Sequence, residues 1–91
     1  MKLSKKSAAA IGSLVNSIMV DVMMQDSAKQ QGDSDMLARW LDNEAVNTCK
    51  LADDWGIELP TLARKRERVA EIEAARAARR AAVANSMRAF A

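Results

Sequence analysis

The residues of this sequence best suited to chemistry are the basic side chains of its last third. Residues 61–91 carry eight arginines and lysines against three glutamates, a net charge of +5. At 100° per residue, six of these side chains fall within about 160° of arc on one helix. Guanidinium and ammonium groups arranged in this way can contact successive phosphates of a nucleic acid. The pattern therefore predicts candidate nucleic-acid-binding residues at Arg64, Lys65, Arg68, Arg76, Arg79 and Arg80.

Two other interpretations of this segment remain open. Glutamates stand three positions from arginines, which is typical of solvated ion pairs on an exposed helix. These pairs are Arg64–Glu67, Arg68–Glu71 and Glu73–Arg76. Alternatively, residues 35–80 form a helix-turn-helix with its turn at 55–60, and the basic cluster begins the recognition helix. Zinc-finger, leucine-zipper and RNP signatures are absent, and so is tyrosine, so base stacking is not expected.

Residue types that catalyse reactions or bind metals are scarce. The sequence has no histidine, the commonest general base and metal ligand. Its single cysteine, Cys49, therefore has no histidine partner for nucleophilic catalysis. The three glycines are isolated, which excludes a phosphate-binding loop. Asp53 and Asp54 would point about 100° apart on a helix. We expect a protein that is not an enzyme and that uses no metal, cofactor or small-molecule substrate.

Methionines and other apolar residues near both ends of the chain predict a protein-binding surface. Three methionines flank the apolar stripe of the first helix, and methionine repacks easily against different partners. The alternative to a binding role is that these methionines fill the edge of the core. An amphipathic helix without an internal partner commonly docks on another protein or on its own copy. The candidate protein-binding residues are Met19, Met23, Met24, Val83, Met87 and Phe90.

The elements that position these residues are predicted to be three helices. The composition is rich in strong helix formers and has three aromatic residues, three glycines and one proline, which favours helix over sheet. The helices are predicted at 4–27, at 35–55, and from 60 or 61 to at least 87. Gly32 and Gly56 are placed to end the first two. We predict an all-α fold, an antiparallel helical hairpin followed by a longer, basic, Ala/Arg-rich C-terminal helix.

Apolar residues at helical spacing predict which faces are buried. On the first helix, the side assigned to water carries Ser13, Asn16, Ser17 and Asp21. The predicted core consists of Ile11, Leu14, Val15, Ile18, Val22, Leu37, Trp40, Leu41, Leu51, Trp55, Ile57, Leu62, Val69 and Ile72.

Three positions of the second helix depart from its pattern. Glu44 and Thr48 fall within the apolar stripe, and Val46 falls on the polar side, where Asn47 also lies. The Glu44 carboxylate either reaches water at the edge of the stripe or pairs with an arginine of the third helix or of a second subunit. A buried carboxylate without a partner would be costly.

The chain has 91 residues, enough for one domain with a modest core. Residues 1–75 are expected to form a compact three-helix part and residues 76–91 a helical extension.

Polar residues interrupt the apolar run of 8–20, so we expect neither a signal peptide nor a membrane span. With a single cysteine, a reducing compartment is the default, and the expected location is the cytoplasm.

These features favour a small helical binding protein. Its expected role is that of an adaptor, inhibitor or assembly factor that contacts a protein partner or its own copies. Small size, high helicity and the scarcity of catalytic groups are typical of accessory proteins of phages and mobile elements. The alternative is a nucleic-acid-binding protein, of a packaging or regulatory type, that uses the basic face of the C-terminal helix.

Overall fold

The structure, a computed structural model, describes residues 3–89 and contains three helices over that range. Helix α1 spans Lys5–Gln31, α2 spans Ser34–Trp55 and α3 spans Leu62–Ala89. Residues 3–89 include no strand. The predicted all-α, three-helix fold is therefore confirmed. Its extents of 56 × 36 × 22 Å describe an elongated molecule.

Local capping sets the ends of α1 and α2. The Ser4 hydroxyl accepts a hydrogen bond from the Ser7 backbone N–H at 3.0 Å, and an Asp33 carboxylate oxygen accepts one from Met36 at 3.0 Å. Gly32 and Gly56 both adopt φ of 68°, a left-handed conformation that glycine takes without steric cost. The prediction ended α1 too early, since the helix continues to Gln31 and leaves a connection of only two residues.

Helix α2 lies between the other two helices. Helices α1 and α3 each pack on α2, and within residues 3–89 no Cα atom of α1 lies within 8 Å of a Cα atom of α3. Three ion pairs join α2 to α3. Their residues on α2 extend from Asp42 to Asp53, about 16 Å along the helix. Their residues on α3 extend only from Lys65 to Arg68. Helix α3 therefore crosses α2 and continues past it. Ile72 is the last residue of α3 that is even partly buried, and residues 73–89 are exposed.

The most deeply buried side chains are small or polar. The buried apolar residues are Ala28, Ala45, Cys49 and Leu51. The buried polar residues are Asp21, Gln25 and Thr48. The Thr48 hydroxyl has no hydrogen-bond partner among the described residues. The core thus contains little apolar volume for a chain of this length, and Leu51 is its largest fully buried side chain.

The predicted core is right for Leu51 and wrong at three positions. Val15, Val22 and Ile57 are exposed. The remaining predicted core residues are partly buried: Ile11, Leu14, Ile18, Leu37, Trp40, Leu41, Trp55, Leu62, Val69 and Ile72. The two valines point outward because α1 is rotated about its axis relative to the prediction.

The predicted orientation of α1 is wrong at its centre. Asp21 was assigned to the side facing water, but it is buried and only 4% exposed. Ser17 is partly buried as well. The physical reason is that α2 offers polar partners to this side of α1, so that Asp21 and Gln25 form hydrogen bonds across the helix pair. Asn47, assigned to the polar side of α2, is one of these partners.

We predict that Leu51→Ala destabilises the protein by about 2–4 kcal/mol, because truncating a fully buried leucine removes packing and leaves a cavity. The measurement is urea unfolding followed by circular dichroism. The control is Val46→Ala on the same helix, where an exposed side chain should change the free energy of unfolding by less than about 0.5 kcal/mol. Equal effects of the two substitutions would contradict the described core.

Candidate protein-binding surface

Polar side chains form hydrogen bonds across the contact between α1 and α2. The Asn47 Nδ2 amide donates a hydrogen bond of 2.9 Å to Asp21 Oδ2. One turn further along α1, Gln25 Nε2 donates to Glu44 Oε1 at 2.7 Å and to the Trp40 carbonyl at 3.4 Å. These hydrogen bonds give partners to the polar side chains of Asp21 and Gln25, which would be costly to bury without a partner. They also fix the rotation of α1 and thereby decide which of its faces points outward.

The Glu44 carboxylate connects all three helices. Besides accepting the bond from Gln25 of α1, it forms an ion pair of 3.0 Å with Lys65 Nζ of α3. The two side chains of this pair are only 12% and 16% exposed. Of the two alternatives left open by the sequence, pairing with a cation of the third helix is therefore the one observed. The cation is a lysine rather than an arginine.

With Asp21 and Gln25 turned toward α2, a set of mostly apolar residues on the opposite side of α1 faces solvent. We call this surface the α1 outer face, and it consists of Ala8, Ala9, Gly12, Val15, Asn16, Met19, Val20, Val22 and Met23. All of these residues are exposed. Met19 and Met23, predicted to bind protein, are 59% and 67% exposed. Met24 lies at the edge of the packed side and is partly buried.

The sequence prediction missed most of the α1 outer face. Val15 and Val22 were assigned to the core, and the small residues around Gly12 were given no role. A signal was nevertheless present, because a buried Asp21 or Gln25 requires a polar partner and α2 carries Glu44 and Asn47. Choosing between the two faces of α1 required knowing which residues of α2 lie opposite.

Helix α1 carries few charges over most of its length. Between Ser7 and Ala28 only Asp21 and Asp26 are charged, and Asp21 is buried against α2. By length and composition α1 is the one helix within residues 3–89 that is long enough and apolar enough to cross a membrane. A leader segment or the core helix of a soluble protein meets the same criteria. Little of α1 is buried in this fold, so its apolar surface is available for contact.

A second apolar surface lies on the part of α3 that continues past α2. Val83 is 55% exposed and Met87 is 70% exposed, and both were predicted to bind protein. They lie on the same side of α3 as Arg76, Arg79 and Arg80. Phe90, the last predicted member of this set, lies outside the described residues.

The predicted basic face of α3 is divided into paired and open parts. Lys65 is held by Glu44, and Arg68 Nε donates to Asp42 Oδ1 at 2.7 Å. The pairs predicted within α3 are not formed in residues 3–89, since Arg68 turns to α2 and no ion pair links Arg64 to Glu67 or Glu73 to Arg76. The members that remain exposed are Arg64, Arg76, Arg79 and Arg80.

Arg66 forms the most exposed of the three ion pairs. Its Nη2 lies 2.7 Å from Asp53 Oδ1. The hydrogen bond from this guanidinium lowers the pKa of the Asp53 carboxyl and raises the pKa of Arg66. Because the folded-state pKa of Asp53 is depressed, the pair stabilises the fold above about pH 4, the ordinary aspartate range. That contribution is lost as the pH falls through the lowered pKa.

No family model matches this chain, and no curated protein or solved structure is significantly similar to it. Within the part of the chain that the structure describes, no three acidic or cysteine side chains come together as a metal site. The candidate functional surfaces are therefore the α1 outer face and the exposed part of α3, residues 73–89.

We predict that Glu44→Gln destabilises the protein by about 1–3 kcal/mol, because it removes the anion that neutralises a largely buried Lys65 ammonium. Adding Lys65→Met should restore part of the loss, so that a double-mutant cycle yields a coupling energy of about 0.5–3 kcal/mol. The measurement is urea unfolding of the four proteins.

The exposed Asp53–Arg66 pair provides the control for this cycle. Coupling between Asp53→Asn and Arg66→Met should be smaller and should vanish near about 1 M salt, where charges are screened within about 3 Å. Coupling at Glu44 no greater than coupling at Asp53 would contradict a structural role for the three-helix connection.

Cys49 is predicted to react slowly while the protein is folded. The side chain is buried, and this burial raises the pKa of its thiol, with the Arg66 charge opposing the rise. Because the thiolate is the reactive form, labelling by a disulfide reagent near pH 8 should be slower in the native protein than in urea. Equal rates in the two conditions would show that this region opens readily.

Proposed function

We propose that this protein is a non-enzymatic helical binding protein, an adaptor, inhibitor or assembly factor, and that its principal binding surface is the α1 outer face. The observation that carries the proposal is the orientation of α1. Its two buried polar side chains form hydrogen bonds within the molecule, while Val15, Met19, Val22 and Met23 are exposed along one side. Contiguous exposed apolar surface of this kind is typical of interaction sites.

The chemistry of the α1 outer face fits helix-on-helix contact. A run of about five turns without an exposed charge offers alternating ridges and gaps into which another helix can pack. Methionine at two positions of its C-terminal half allows the surface to adapt to its partner. Since an apolar helix face is covered by another apolar helix face, the expected contact is of the helix-in-groove or paired-helix type.

The experiment is affinity capture with the full chain, comparing the natural protein with Met19→Gln/Met23→Gln. Glutamine keeps the length and helix propensity of methionine while making the surface polar, so the fold should be preserved. We expect partners that bind through this face to be lost from the variant. The matched control, Val46→Gln, changes an exposed apolar residue of α2 and should retain them. Equal capture by all three proteins would overturn the assignment of this face.

A second candidate function, nucleic-acid binding, is favoured by a different observation. Arg76, Arg79 and Arg80 are exposed on the half of α3 that extends beyond α2, and no acidic side chain within residues 3–89 forms an ion pair with them. A helix that projects from the fold with unpaired guanidinium groups can reach a phosphate backbone. Lys65 and Arg68 contribute less, because each already has a carboxylate partner.

This candidate is tested by fluorescence anisotropy with labelled duplex DNA and single-stranded RNA. If three or four phosphates are contacted, the affinity should fall on the order of 10²-fold between about 50 and 200 mM salt. Arg79→Glu/Arg80→Glu should abolish binding, whereas Arg39→Glu/Lys50→Glu, which reverses two exposed charges on α2, should weaken it far less. Absence of binding at the lower salt would exclude this function.

A further inference from the structure

The α1 outer face is asymmetric along its length. Its N-terminal half presents the small residues Ala8, Ala9 and Gly12, and its C-terminal half presents larger ones, including Met19 and Met23. If a second copy of α1 packed in parallel, small residues would meet small residues and leave gaps. An antiparallel copy instead sets Ala8 opposite Met23 and Gly12 opposite Met19. Size complementarity of this kind is what close helix packing requires.

The charges at the two ends of α1 favour the same arrangement. Lys5 and Asp26 lie on the same side of the helix as the outer face. In the antiparallel register that pairs Gly12 with Met19, the Lys5 ammonium comes beside the Asp26 carboxylate of the other copy. A parallel pair would place Lys5 beside Lys5 and Asp26 beside Asp26. Two opposite-charge pairs, one at each end, therefore specify direction as well as register.

Gly12 leaves room for a side chain of another helix. It lies in the interior of α1, where glycine is the poorest helix former apart from proline. A Cβ added at this position would have no neighbour within 4 Å, so packing inside the molecule does not require a glycine. The gap at Gly12 on the exposed side of α1 fits a large side chain such as Met19 of a second copy.

A membrane is a poorer occupant of this face. Helix α1 crossing a bilayer would carry Asp21 and Gln25 into hydrocarbon without Asn47 and Glu44, the polar partners that satisfy them. Helices that lie on an anionic membrane surface have basic residues along their flanks. Between Ser7 and Ala28, α1 has none.

From these observations we propose that the protein forms a homodimer through the α1 outer face, with the two α1 helices antiparallel and the two-fold axis beside Val15 and Asn16. This inference rests on the proposed function and names a second copy of the chain as the partner. Such an interface is isologous, because the same patch serves on both copies. It buries a single helix face, which places it among the smaller specific interfaces, the size class of weak and transient complexes.

Analytical ultracentrifugation from about 1 to 200 µM tests the association itself. We expect the natural protein to shift from monomer to dimer over this range. Met19→Gln/Met23→Gln should weaken dimerisation by about tenfold or more, since polar side chains would replace the apolar contacts. Val46→Gln should leave it unchanged. Lys5→Glu should weaken association, and Lys5→Glu/Asp26→Lys should restore it if each residue faces the other across the interface.

Disulfide cross-linking tests the direction, in a Cys49→Ala background that removes the natural thiol. Asn16→Cys should form a disulfide-linked dimer, because residues beside the two-fold axis lie close to their own copies. Ala8→Cys should not, since its two copies would be about 22 Å apart along the axis. Mixing Ala8→Cys with Met23→Cys should give a mixed disulfide. Circular dichroism verifies that each variant is folded.

The outcomes separate this inference from the proposed function. Dimers that cross-link at Asn16→Cys and not at Ala8→Cys support it, and cross-linking at both positions indicates a parallel pair and overturns it. A monomer at every concentration overturns it too, and in that case affinity capture still decides whether the α1 outer face binds another protein. A monomer that sediments with phosphatidylglycerol vesicles, and ceases to do so in Met19→Gln/Met23→Gln, assigns the face to a lipid surface.

Discussion

The Glu44 carboxylate is the point on which the arrangement of this molecule depends. The backbones of α1 and α3 do not approach each other in residues 3–89, and both helices pack on α2. Glu44 joins them by accepting a hydrogen bond from Gln25 on one side and pairing with Lys65 on the other. A carboxylate that is only 12% exposed is tolerable because both oxygens have partners. The same interactions, with Asp21 and Asn47, set the rotation of α1.

The sequence predicted the helices well because their ends depend on local chemistry. Ser4, Asp33, Gly32 and Gly56 cap helices through groups within four or five residues, so their effect can be read without knowing the fold. The rotation of α1 could not be read in this way. Periodicity shows that two faces of a helix differ, but not which of them packs inward. That choice depended on Asn47 and Glu44, more than 18 positions away in sequence.

The candidate surfaces were predicted unevenly for the same reason. Met19, Met23, Val83 and Met87 are exposed, and the sequence had identified each as a candidate for protein binding. On α3, spacing alone grouped six basic residues, but two of them are engaged by carboxylates of α2. Ion pairs between helices depend on the fold and cannot be predicted from spacing within one helix. As a result, most of the exposed guanidinium groups of this set lie on the part of α3 that does not pack on α2.

The small amount of apolar surface buried in α1 and α2 has a thermodynamic consequence. Three of the most deeply buried residues are polar, and the apolar ones are mostly small. Exposure of apolar surface dominates both the heat-capacity increment of unfolding and the denaturant m value. Both quantities should therefore be low for a chain of 91 residues. The stability curve of the isolated chain would then be unusually flat, and it would become steeper whenever a partner covers α1.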